Sequence, residues 1–250
     1  MFARLALSAA LALGVALPAA AFDLSEMTDD ERSVFRSEIR AYLLENPEVL
    51  MEAISVLESR EREAQAANDV ALAQTYADQL FDDGHSWVGG NPDGDVTIVE
   101  FLDYRCGYCK RAFEEVETLL ESDGNIRFIV KEFPILGDQS TLAARFAIAV
   151  LRVEGDAAYE DVHNTLMTMR SDVTMSALVQ ISDTFGLDTA AISAEMESED
   201  VSRIIAENRA LAQALAISGT PTFVIGDRLV RGYIPGDQME LVVAEARAQD

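Results

Sequence analysis

Apolar positions along the chain change their rhythm near residue 85. Before that point they recur at helical spacing. Thr28-Asp29-Asp30-Glu31 has the form of a capping box, in which the Thr28 hydroxyl and the Glu31 carboxylate satisfy the first free amides of a helix. Ile39, Leu43 and Leu44 carry that helix on until Asn46-Pro47 interrupts it. Asn46 is placed to cap a second helix with Pro47 in its first turn. With no later Gly or Pro to stop it, this helix is expected to reach about Phe81, roughly 50 Å at 1.5 Å per residue. Leu50, Ile54 and Leu57 form an apolar stripe on it. Glu58 to Asn68 is then almost wholly polar or Ala before Val70, Leu72, Tyr76 and Leu80 resume. A helix so polar at mid-length cannot be core. It reads as a stalk that buries its apolar ends against another subunit or its own domain. The plainer alternative is a solvated helix folded back on the domain.

Beyond residue 85 the pattern is mixed. Gly84, Gly89-Gly90 and Asn91-Pro92-Asp93-Gly94 punctuate the passage. Val96 to Phe101 is a β-rich run, read as a buried strand. Phe113, Val116 and Leu120 give a helix stripe stopped by Gly124, and Ile126 to Phe133 reads as a second strand ending at Pro134. From Ser140 to Ile217 the period is helical throughout. Thr222 to Ile225 is a strand, Gly226-Asp227 a hairpin turn and Leu229 to Arg231 its partner, with a last helix from near Asp237. The order predicts an α/β fold with a helical insertion, preceded by a helical arm.

The first residues change the setting. Met1 to Ala21 carries one early cation, Arg4, then an apolar stretch from Leu5 to Leu17, then Pro18-Ala19-Ala20-Ala21. That is the order of a secretory signal peptide cut near Ala21; the apolar run is short for a bilayer span of roughly 20 residues. Export to the periplasm is expected, with no membrane insertion of the mature chain. Removing Arg4 leaves 18 of the 19 basic residues against 44 acidic ones, a net charge of −26. Such a field repels nucleic acid and anionic lipid, which makes both poor partners.

Only 2 cysteines occur, at 106 and 109. An exported chain that used disulfides for stability would carry several at wide spacing, and a bridge across three residues closes too small a loop to stabilise much. The pair is therefore chemical. It falls where a strand turns into a helix, so Cys106 sits at a helix N-terminus whose free amides and dipole favour a thiolate. Cys109, one turn on, is the more shielded sulfur, placed to attack a mixed disulfide on Cys106.

Phe101-Leu102-Asp103-Tyr104-Arg105-Cys106-Gly107-Tyr108-Cys109-Lys110 resembles the active-site segment of the DsbA-like branch of the thioredoxin superfamily. Ser218-Gly219-Thr220-Pro221-Thr222-Phe223 is similar to that family's cis-proline loop, with a helical insertion between the two segments. The stretch Tyr42-Leu43-Leu44-Glu45-Asn46-Pro47-Glu48-Val49-Leu50 resembles the amino-terminal oligomerisation segment of ScsC-like proteins in the same family. After the signal peptide over 1–21, the resemblance implies an oligomerisation arm over 22–82 and a thioredoxin-like catalytic domain over 83–250, with its insertion at about 138–217. It implies Cys106 as nucleophile, Cys109 as resolving thiol, and Gly107 and Tyr108 as the dipeptide that tunes the potential. Thr220-Pro221 is expected to be cis and to face Cys106, the Thr220 backbone pairing with a bound substrate strand. Glu100 and Lys131 occupy the family positions for a buried acid–base pair beneath the cysteines. No cofactor is implied beyond the Cys106–Cys109 disulfide itself.

The activity so implied is thiol–disulfide exchange with periplasmic proteins that carry thiols or disulfides, with a membrane redox partner to recycle the pair. A Pro-His dipeptide, as in the family's archetypal oxidase, is absent between the cysteines. Together with a homo-oligomer formed through residues 22–82, that leans the expectation towards an isomerase or reductase. A monomeric oxidase is one alternative, and Cu(I) binding by the same two thiolates another. A structural adaptor without catalysis, built on the stalk, is a third. Zinc would need four ligands; only His85 and His163 could add to the pair. His163 sits on the stripe of Tyr159, Val162 and Leu166 and reads as a packed core histidine. Trp87 and the methionines read as packing residues.

Overall fold

The structure, a computed structural model, describes residues 26–248. The expected signal peptide lies outside the described residues. Among them no helix is long and apolar enough to cross a membrane. The chain divides into two compact units between Ser59 and Arg60, well before the residue 82 boundary read from the sequence.

The first unit holds α1 (Asp29–Glu45) and the opening turns of α2 (Glu48–Thr75). The capping box forms: the Glu31 amide donates to Thr28 Oγ1 at 3.3 Å, and the Thr28 amide donates to Glu31 Oε2 at 2.9 Å. Asn46 departs from expectation. Its side chain serves the helix behind it, Nδ2 donating at 2.9 Å to the Tyr42 carbonyl, which also accepts the Asn46 amide at 2.8 Å. α1 buries none of its side chains, and Phe35, Ile39, Tyr42, Leu44, Leu50, Ile54 and Leu57 are all exposed.

The second unit is the remainder of α2, then α3 (Ala77–Phe81), β1 (Val88–Gly90), β2 (Val96–Leu102), α4 (Gly107–Asp123), β3 (Ile126–Glu132), α5 (Asp138–Glu154), α6 (Asp156–Thr168), α7 (Met175–Phe185), α8 (Thr189–Met196), α9 (Glu199–Ala214), β4 (Thr222–Ile225), β5 (Arg228–Arg231) and α10 (Gly236–Arg247). The single long helix expected to Phe81 stops at Thr75. Tyr76, at φ −106° and ψ 22°, redirects the chain, and Leu80 of α3 is fully buried beside Ala73.

The strands make one sheet in the order β1-β3-β2-β4-β5, with β2 and β3 parallel and the other pairs antiparallel. β1 lies within the glycine run that reads as a mere connector. Its glycines allow close backbone approach: a Cβ on Gly90 would stand 2.5 Å from the Ile126 carbonyl oxygen.

Alternation along the strands sorts the sheet into two faces. Ile98, Leu102, Phe128, Val130, Phe223 and Ile225 share a core with α4, α5, α6 and α10. Val99, Phe101, Ile129, Phe133 and Val224 pack instead on Ala73, Leu80 and the end of α9. The cysteines belong to the first of these cores.

Candidate active site

Cys106 is the N-cap of α4, with extended backbone at φ −76° and ψ 118°, and both cysteines are free thiols. The approach to it is fixed by Asp103. This side chain is 1% exposed, and it accepts from the Arg105 amide at 2.8 Å, the Ile135 amide at 2.8 Å and the Leu136 amide at 3.0 Å. Its carbonyl accepts from the Cys106 amide at 2.9 Å. Three amide donors on one buried carboxylate make a strong anchor. Asp103 thereby ties the cysteine turn to the loop after β3, a role sequence reasoning missed because the amides at 135 and 136 lie far along the chain.

The Thr220-Pro221 bond is cis, and the Cys106 thiol donates to the Thr220 carbonyl at 3.2 Å. The Cys106 thiol is pushed down to about 5. The largest cause is the hydrogen bond that Cys109 gives it, followed, against the cost of burial, by a hydrogen bond from the Thr220 side chain and by the amides of Cys109 and Tyr108. These amides are the open donors of the first turn of α4. Cys109 is fully buried, and its thiol is pushed up by that burial, by the bond it makes to Cys106 and by the Glu100 charge. Two thiols three residues apart are thus driven in opposite directions. Gly107 opens α4, and Tyr108 beside it is 63% exposed.

Glu100 lies on the cysteine face of β2, buried, with its Oε1 lacking any hydrogen-bond partner. Burial first, and the Cys106 charge second, push its carboxyl up to about 8. Lys131 corrects the expectation. β2 and β3 pair with Glu100 opposite Val130 and Phe101 opposite Lys131, and a step of one residue turns a side chain to the other face. Lys131 is wholly buried beneath the opposite face, where its Nζ donates to the Gln79 carbonyl at 2.8 Å and pairs with Asp83. It does not pair with Glu100. The second acid on the cysteine face is Glu132, opposite Leu102, which receives a hydrogen bond from the Tyr159 hydroxyl.

The two histidines are apart from the pair. His163 is buried, stacked on Trp87 and Tyr159, with Nδ1 3.1 Å from the Tyr104 hydroxyl, and burial holds it down to about 3. His85 meets Asp83 at 3.2 Å and Glu207 at 3.3 Å. Among the described residues no group of three or more His, Cys, Asp or Glu is arranged to hold a metal ion.

Two stretches of the chain match known families. A thioredoxin family model matches residues 82–244, and the N-terminal domain model of the copper resistance protein ScsC matches residues 31–64. A thioredoxin-like oxidoreductase from Silicibacter pomeroyi is 43% identical and aligns over 68% of this chain and 97% of its own, with a TM-score of 0.65. The thiol-disulfide exchange protein alpha-DsbA2 of Wolbachia pipientis is 30% identical over 72% of this chain and 98% of its own, with a TM-score of 0.67. A linker-deletion mutant of Proteus mirabilis ScsC is 25% identical over 91% of this chain and 100% of its own, with a TM-score of 0.68. Among curated relatives, a Na(+)/H(+) antiporter NhaA of Salinispora tropica is 26% identical over 64% of this chain, and the chain spans 24% of that protein's length.

Proposed function

The chain belongs to the thioredoxin superfamily, in its DsbA-like branch with an ScsC-like amino-terminal segment, and from that premise we propose that it is an exported thiol–disulfide oxidoreductase acting on periplasmic proteins through Cys106 and Cys109. The observation that carries the proposal is the opposite activation of the two thiols, one held near 5 at a helix N-cap and the other buried and pushed up.

The chemistry follows from that asymmetry. In the reducing direction the Cys106 thiolate attacks one sulfur of a substrate disulfide. That S–S bond breaks, the other sulfur leaves with the electron pair and takes up a proton, and Cys106 is joined to substrate. Cys109 then gives up its proton and attacks the Cys106 sulfur, closing the Cys106–Cys109 bond and releasing the second substrate sulfur as a thiolate. Two electrons pass from the pair to the substrate, and oxidation runs the same steps in reverse. Glu100 is placed to take the Cys109 proton. Once Cys106 is tied up in the mixed disulfide its charge is gone, so one of the two causes that keep Glu100 protonated is gone with it.

The exposed apolar residues of α1 and early α2 support self-association through the arm. Joined subunits would hold a misfolded substrate through successive exchanges at a raised local concentration of active sites, which suits an isomerase or reductase more than a single-encounter oxidase. A membrane protein that recycles the pair completes the proposal.

In the test, reduced Cys109→Ala is expected to accumulate mixed disulfides with scrambled, disulfide-bearing protein substrates, while Cys106→Ala loses turnover. Equal accumulation by both variants would overturn the assigned roles.

A further inference from the structure

Lys131 is turned away from the cysteines, which leaves the cysteine face with an acid that the exchange chemistry has not used. Glu132 is 4% exposed, and its carboxylate accepts from the Tyr159 hydroxyl. The Tyr159 oxygen lies 3.3 Å from the Tyr104 oxygen, which in turn lies 3.1 Å from His163 Nδ1. Tyr104 is 1% exposed and stands two residues before Cys106. A continuous buried hydrogen-bond chain therefore runs from the end of β3, through α6, to the turn that carries the nucleophile. Chains of this kind polarise one another and hold their members in place.

Glu132 is also Glu100's neighbour. Glu100 pairs with Val130 and Leu102 with Glu132. Two residues of rise and one strand spacing put the two acids roughly 8 Å apart at Cα, on one face.

We propose that Glu132 is a positioning residue of the cysteine site, fixing Tyr104 through Tyr159 and biasing, by its charge, the proton that Glu100 holds. The proposal deepens the oxidoreductase reading and rests on it for its significance. Burial raises Glu132 to about 7, against the hydrogen bond from Tyr159, so its charge changes just below the range in which Glu100 titrates. The groups around it are Glu100 and Tyr104 from β2 and the following turn, and Tyr159 and His163 from α6. On α9, Asn208 donates to the Glu132 carbonyl and Arg209 to that of Pro134, and beneath the opposite face lies the Lys131–Asp83 pair. An ionised Glu132 makes ionisation of Glu100 harder, and the two acids titrate as a coupled pair.

The test follows the Glu100 carboxyl by carbon-13 NMR in full-length reduced protein labelled at glutamate side chains, its signal identified by loss in Glu100→Gln. In Glu132→Gln, which still accepts from Tyr159, the Glu100 midpoint should fall by roughly one pH unit, about a tenfold change in proton affinity for like charges at that separation. In Tyr159→Phe, which removes the bond that favours ionised Glu132, the midpoint should fall in the same direction. A Glu100 midpoint unmoved in both variants would overturn the proposal, whatever happens to their melting temperatures. The readout needs no turnover, so its failure is separate from failure of the oxidoreductase reading, which the cysteine variants decide.

Discussion

Residue by residue, the site is governed by which groups are denied a partner. Glu100 is buried with an unpartnered oxygen and is raised from 4.5 to about 8. Between those values the folded protein holds a proton that the unfolded chain has released, so stability falls as pH rises through this window. At pH 7 the cost is roughly 3 kcal/mol, since each tenfold change in proton affinity is worth about 1.4 kcal/mol. Glu100→Gln is therefore expected to stabilise the reduced protein to urea at pH 7 and to give little gain at pH 4; equal gain at both would show that the carboxyl is not held protonated. The chemical residues were legible in the sequence because two cysteines three apart stand alone in 250 residues. Lys131 was not, because one residue of strand parity decides its face and the sequence shows no alternation where Phe128, Ile129 and Val130 are all apolar and Lys131 and Glu132 are both charged. Asp103 stayed hidden for another reason: its partners are amides, which carry no side-chain signature.

Among the helices and strands, those around the cysteines agree closely with the apolar pattern, since each has a period that burial enforces. The arm differs. Its continuous helical pattern gave no sign that α2 changes allegiance along its length. Asp69 is buried in a bidentate pair with Arg231 of β5, and Ala73 and Leu80 fill the core behind the sheet. Residues 60–81 therefore belong structurally to the catalytic unit. Cutting the chain at Ser59 should keep the fold and the thiol chemistry while lowering the mass, by light scattering, to that of a monomer. Cutting at residue 82 should destabilise it severely, since loss of a buried leucine alone costs roughly 2–5 kcal/mol. A full-length protein already monomeric would deny the arm its role in assembly, and an equally stable shorter fragment would deny residues 60–81 their part in the catalytic unit.

For the molecule entire, a sheet with two distinct cores separates two kinds of buried charge. The Lys131–Asp83 pair lies beneath one face. On the other, the cysteines, Glu100 and the Glu132–Tyr159–Tyr104 chain share one enclosed environment. Thioredoxin-like topology supplies the helix N-cap for Cys106, and the insertion of α5 to α9 supplies Tyr159 and His163 behind it. This enclosure activates Cys106 and silences Cys109. The decisive experiment titrates the thiolate absorbance at 240 nm in the reduced full-length protein, with alkylation mapping to identify the sulfur that ionises. A single thiolate with a midpoint near 5, alkylated at Cys106, is expected; a midpoint near 9, or alkylation falling first on Cys109, would contradict the assignment.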